Sequence, residues 1–264
     1  MFLRPARMSL PACLARTVLP WAEAVAGKHL VVPSDTTELN YGHHSGYLDS
    51  SDADLGPTGN NIDIGFFLHS SLVIDAATTQ LIGASDLYVW NRRYGKEDKH
   101  ERGYRKQRIE DKESYRWIAA AQRSKEVLAG AASILFVSDR EADMYEEFVA
   151  LPDNRCDVLV RSKEDRRLYG KGQKLYEYIR SQQQAGEISV SIRPAKGRQA
   201  RQATLAIRFA TVRVARPLKH GSTSPLPEYV ELDAVMAEET HHSVPPGEKP
   251  ISWKLLTTCR VASL

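Results

Sequence analysis

Two short stretches hold the residues whose types could do chemistry. In ILFVSDREADMYEEF, residues 134–148, four apolar residues run directly into Asp139 and a cluster of charges. In LVVPSDTTELN, residues 30–40, an apolar run stopped by Pro33 leads into Ser34, Asp35, Thr36 and Thr37. Each acid follows what reads as a strand, and a carboxylate at the carboxyl end of a strand lies at the edge where open α/β sheets bind ligands. Two such acids on neighbouring strand ends form half of a site for Mg2+, which takes one or two protein carboxylates and completes its shell with phosphate and water. With two ions, one activates an attacking oxygen and the other stabilises the leaving one. Plainer roles compete. Asp139 could cap the helix that its own charges open, and Asp35 could bond its own backbone in a turn.

The elements that must position these acids follow from periodicity. The unbroken apolar run 134–137 predicts a strand buried on both faces, and Met144, Tyr145 and Phe148 form the apolar face of a helix after it. Residues 28–32 predict a short strand ended by Pro33. Alternation at Ile62, Ile64, Phe66 and Leu68, its resumption at Leu72 and Ile74, and the run 81–90 predict a meander of three antiparallel strands. Residues 113–129 read as a helix, with Trp117, Ile118, Ala121 and Leu128 on one face and Gly130 as its stop. Stretches 49–61 and 92–112 read as polar loops, and the adjacent His43 and His44 as surface residues. Beyond residue 150 come a strand at 157–160 running into Arg161, Ser162 and Lys163, then a helix at 175–180. Alternating segments follow at 188–192, 205–209, 212–214, 230–232 and 251–256. This order predicts a mixed α/β sheet with Asp35 and Asp139 on neighbouring strand ends, followed by a β-rich segment.

Composition narrows the classes. With 264 residues, 42% hydrophobic and 26% charged, the chain is neither disordered nor fibrous. Cys13, Cys156 and Cys259 are too scattered for a zinc site or a disulfide framework, which fits a reducing cytosol. Arg4, Arg7, Pro11 and Arg16 interrupt any signal-peptide core in the first 26 residues. No window approaches the ~18 apolar residues of a membrane span, so no membrane partner is expected. The net charge of +3 is uneven: residues 155–216 carry fifteen Lys or Arg against five acids, whereas residues 1–91 sum to −5. The basic block is a candidate polyanion surface, whose affinity would fall steeply with salt. A solvated β surface is the competing reading.

The motif SDREADMYE, with PSDTTELNY upstream and VRSK downstream, resembles the DDE transposases of the insertion-sequence-four group, to which the transposon-five enzyme belongs. The similarity runs from about Val31 to the C-terminus, through FLHSSLVIDAATTQLIG, WIAAA, LDAVMAEE and PPGEKPISWKLLTT. It implies an RNase H-like mixed sheet with a β-rich insertion domain: residues 1–27 a remnant, 28–159 the catalytic core, 160–256 mainly the insertion, and 257–264 the start of the C-terminal core. It also implies DNA strand cleavage and transfer with Mg2+, for which Mn2+ may substitute. The partners would be double-stranded transposon-end DNA and a second transposase subunit, in the nucleoid-associated cytoplasm of a bacterium. Position by position, Asp35 and Asp139 become metal ligands, Arg161 and Lys163 contact the DNA, and Trp253 stacks on a flipped base.

The group's third carboxylate lies on a helix beyond the point matching Leu264, and most of the group's N-terminal DNA-recognition region has no counterpart. The expectation is therefore a chain truncated at both ends, a transposase by descent that is inactive alone. Two other readings stand beside it. One is a DNA-binding or dimerising inhibitor of a full-length transposase. The other is a different metal-dependent nuclease that recruits Asp143 or Glu146.

Overall fold

Strands dominate the backbone. The computed structural model describes residues 21–47, 54–59, 62–92, 107–194, 199–218 and 224–263. The readings of residues 1–20, of Cys13, of the His44 side chain and of most of the two polar loops fall outside the described residues. The chain forms two compact units, Met1–Asp98 with Ala119–Ile134, and Lys99–Ile118 with Leu135–Leu264.

The first unit holds α1 (Trp21–Val25), β1 (His29–Asn40), β2 (Gly56–Pro57), β3 (Ile64–Asp75), β4 (Leu81–Trp90), most of α2 (Tyr115–Val127) and the first residues of β5 (Ser133–Ser138). β3 pairs antiparallel with β1, from Leu30↔Asp75 to Asn40↔Gly65, and antiparallel with β4, so the predicted meander is present. Two details differ from expectation. β3 is one uninterrupted strand, and Ile62 lies ahead of it, 83% exposed. β1 does not end at Pro33 but continues through Asp35 to Asn40, so Asp35 lies within a strand and not at its end. Proline removes one ladder donor without forbidding extended backbone, and pairing with β3 holds on both sides of it, at Val31↔Ile74 and Ser34↔Ser71.

Leu30, Val32, Phe67 and Val73 are buried in this unit, and full burial of such a side chain contributes about 1.5–3 kcal/mol. Asp75 shapes the β3–β4 turn, accepting the N–H groups of Ala77 (2.9 Å) and Thr78 (3.3 Å) and pairing with Lys28 (3.1 Å). The Lys28 carbonyl accepts the N–H of Ala132 (2.8 Å) and of Ser133 (3.4 Å), and His29 Nδ1 lies 2.7 Å from Ser133 Oγ. β1 and β5 therefore start side by side.

The second unit holds the rest of β5, then α3 (Tyr145–Ala150), β6 (Cys156–Arg161), α4 (Leu175–Arg180), β7 (Gly186–Ile192), β8 (Arg201–Ala215), β9 (Tyr229–Glu239) and β10 (Ser252–Thr257). Strand order within it is β5-β6-β10-β9-β8-β7, with antiparallel pairing at every step from β6 to β7. β5 is not buried on both faces. Its burial alternates, with Ile134 and Phe136 buried and Leu135 and Val137 half-buried.

β8 joins what the sequence divided. Its register with β9 runs without a break from Leu205↔Glu239 to Ala215↔Tyr229. Ala203, Leu205 and Ile207 face a cluster with Ile192, Ala237 and the half-buried Trp253, whereas Val212 and Val214, one step out of phase, are buried on the other face. Cys156 and Cys259 are both free thiols. Among the described residues no helix is long and apolar enough to cross a membrane.

Candidate functional site

Asp139 follows the last residue of β5 in extended backbone, φ −83° and ψ −168°, and caps the 3-10 turn Arg140–Ala142 by accepting the Glu141 N–H at 2.7 Å. The plain capping role is thus real. It engages only Oδ1, on an exposed side chain, and leaves Oδ2 open. The turn is braced from its flank, where Glu141 pairs with the Arg116 guanidinium.

The second aspartate of DREAD has a different job. The Asp143 side chain is fully buried, and its Oδ2 accepts the N–H of Lys163 (2.6 Å) and of Glu164 (3.0 Å). Its Oδ1 takes the Arg166 guanidinium, which also donates to the Asp143 carbonyl at 2.7 Å. Four donors saturate the carboxylate, so Asp143 serves as a clamp between the Asp139 turn and the loop that follows β6, and not as an open metal ligand. Nothing in the sequence signals a bond between DREAD and a loop twenty residues on. Glu146 and Glu147 are buried in α3. Burial pushes the Glu147 carboxyl well above the usual carboxylate range, against a weak bond from Ser138 Oγ (3.4 Å) and with Asp143 adding to the rise.

Arg161 ends β6 opposite Leu255 of β10, half-buried, and Lys163 projects exposed from the clamped loop. Trp253 packs on the Ile192–Leu205–Ile207 cluster and keeps part of its ring accessible. In the first unit, the pleat of β1 sorts its polar residues. Ser34 Oγ meets Ser71 Oγ at 2.8 Å and Thr36 Oγ1 meets His69 Nδ1 at 2.9 Å, both on the inner face. Asp35 points the other way, exposed, its Oδ1 accepting the Thr36 N–H at 2.7 Å. Asp139, Lys163 and Arg161 thus share one unit, while Asp35 belongs to the other.

The donor chemistry of the two open acids suits a hard divalent cation, since each is an accessible carboxylate with an uncommitted oxygen. Among the described residues no group of three or more His, Cys, Asp or Glu is placed to hold a metal ion.

The basic block also changes character once folded. Arg166 pairs with Asp143, Arg180 with Glu238, Arg201 with Glu239 and Glu248, and Arg213 with Glu231. These acids all lie outside residues 155–216.

No family model matches the chain. Among solved structures it is similar to a piggyBac transposase in a synaptic complex with hairpin DNA, at 11% identity and a TM-score of 0.38, over 91% of this chain. The chain spans 35% of the length of that protein.

Proposed function

We propose that this chain is a DDE-type transposase polypeptide that binds transposon-end DNA and carries a carboxylate site for metal-dependent phosphoryl transfer. The observation that supports this best is the Asp143 clamp, which ties an exposed acid on a strand-end turn to a basic loop through buried hydrogen bonds. Chemistry on a nucleic acid needs that pairing: a group that holds the cation and groups that hold the phosphates, fixed relative to each other.

In this reading Asp35 and Asp139 hold Mg2+ or Mn2+ through their open oxygens. When bound, the ion supplies a polarised water and charge stabilisation on the phosphoryl oxygens. Lys163 and Arg161 neutralise and orient the DNA backbone, and Trp253 offers the accessible part of its ring for stacking on an unpaired base, a contact worth about 1–3 kcal/mol. Two carboxylates hold the ion less rigidly than three, and a displacement of ~1 Å can cost ~100-fold in rate. Among the described residues no third ligand joins them, so DNA binding with weak cleavage is the expected behaviour.

A gel shift and a nicking assay on transposon-end duplex, with Mg2+ or Mn2+, test this together. Salt-sensitive binding with weak nicking is expected. Strong nicking abolished by Asp139→Ala would overturn the low-activity claim, and absence of binding at low salt would remove the reading altogether.

A further inference from the structure

In the second unit β10 sends alternate residues to opposite faces. Trp253 goes to the apolar cluster, and Ser252 and Lys254 go to the other face, opposite Glu238 and Met236 of β9. There Lys254 Nζ donates to Ser252 Oγ at 2.6 Å and lies 4.9 Å from the centre of the Tyr176 ring. Tyr176 OH is 3.0 Å from Ser162 Oγ, and the Ser162 N–H donates to the Lys254 carbonyl at 2.7 Å. Lys254 is thereby built into the base of the same loop that Asp143 clamps. Ser252 takes one of the three donors of its ammonium group, and among the described residues no carboxylate forms an ion pair with it.

Charges of both signs surround Lys254. Burial lowers the Lys254 pKa from the ordinary lysine value, Glu238 opposes it, Arg180 and Arg140 lower it further and Asp165 opposes them; Ser252 Oγ in turn donates to Glu238 at 3.2 Å. Arg180 already has a partner in Glu238, at 2.9 Å, whereas Arg140, next to Asp139, has no carboxylate partner among the described residues. Arg208 of β8, opposite Met236 on this face, has a buried Nε with no hydrogen-bond partner. A half-buried ammonium with no carboxylate paired directly to it weakens a fold, and a methionine would pack on Tyr176 without that cost. Such an arrangement is explained by an anion that arrives from outside.

We propose that Lys254 and Arg140 form an anion subsite beside the Asp139 turn, which takes a phosphodiester group of a DNA backbone. The identity of that anion rests on the DNA-binding reading above. The two groups divide the work by chemistry: the ammonium is a compact point charge for one phosphate oxygen, and the guanidinium is a planar fork that can grip two.

The test measures the salt dependence of binding of the full chain to a labelled duplex by fluorescence anisotropy. Lys254→Gln should flatten the slope of log K against log salt by roughly one phosphate contact, about 0.9, and Lys254→Arg should retain it. Lys249→Gln, which removes an equal charge from an exposed position nearby, should have a smaller effect. Equal effects of Lys254→Gln and Lys249→Gln overturn the subsite while leaving DNA binding intact. If the wild-type chain binds no duplex at low salt, the DNA reading fails by itself. Inorganic phosphate then decides the subsite: thermal stabilisation that disappears in Lys254→Gln supports it, and none in the wild type overturns it. Should Lys254→Gln fail to fold, lysine acetylation of the wild type read by mass spectrometry replaces it. Protection of Lys254 by bound duplex supports the subsite, and equal labelling with and without duplex overturns it.

Discussion

Asp143 and Glu147 lie four residues apart and are both buried, yet they contribute to stability with opposite sign. Asp143 has every acceptor position occupied, so Asp143→Ala would strand the Arg166 guanidinium and two backbone N–H groups. Breaking a buried pair in this way costs about 3–5 kcal/mol, and urea unfolding should show a loss of that size. A loss below ~1 kcal/mol, the usual worth of an exposed pair, would mean that the clamp is incidental. Glu147 has a raised folded-state pKa because burial disfavours its charge. Above the unfolded carboxyl value of about 4.3, the unfolded chain loses a proton that the folded chain keeps. Stability therefore falls as pH rises through that window towards the folded pKa. Glu147→Gln should raise Tm at neutral pH and change it little near pH ~4, where both states are protonated. Equal shifts at the two pH values would show that the buried charge is not the cause.

At the scale of elements, β1 and the β3–β4 hairpin set the position of Asp35. A Cβ added at Gly65 would lie 2.1 Å from the Leu39 carbonyl oxygen, backbone against backbone. Gly65→Ala should force β1 and β3 apart at the end that follows Asp35 and cost at least ~1–3 kcal/mol, read by thermal unfolding. An unchanged Tm would mean that the strands adjust freely. The hairpin turn should be acid-labile. Lys28 and the backbone donors of the turn hold the Asp75 pKa below the usual carboxylate value. Its contribution is present above the unfolded value of about 3.9 and is lost as pH falls through the folded pKa. Asp75→Asn should flatten the acid limb of the stability curve.

These elements also show what could be read from the sequence. α2, β6 and α4 fall close to where their periodicities predict them, because each keeps one buried face along its length. β1 and β8 were harder for one shared reason. Pro33 reads as a stop, yet the pairing with β3 resumes at Ser34 after a gap of only Val32 and Pro33. The slip in alternation between Phe209 and Val212 reads as a turn, yet it marks a strand covered first on one face and then on the other. Leu168, bridged to Val214, supplies part of the second cover from a distant segment, and no local pattern reports that. At the candidate site, the place of Asp139 directly after β5 was legible from the apolar run before it, whereas that of Asp35, inside β1, was not. The saturation of Asp143 was not, because its donors come from another loop.

For the whole molecule, charge counted along the chain overstates the basic surface. Arg166, Arg180, Arg201 and Arg213 spend their charge on acids from other segments. Arg140, Arg161, Lys163 and Lys254 remain as the cations gathered about the Asp139 turn and the β6 loop. If these four make the phosphate contacts, the salt slope for duplex binding should be about 4 in magnitude, at about 0.9 per phosphate, against about 13 if all fifteen basic residues of the block took part. A slope near the larger figure would mean that those ion pairs open on binding.

The same pairing imposes an order on biosynthesis. The arginines at 201 and 213 leave the ribosome before Glu231, Glu239 and Glu248, the acids that neutralise them. Until β9 and the segment after it emerge, residues 155–216 carry fifteen Lys or Arg against five acids without these partners. The addition of β9 to β8 thus does more than extend a sheet: it sets Glu231 and Glu239 against Arg213 and Arg201 and lowers the net positive charge of the growing segment.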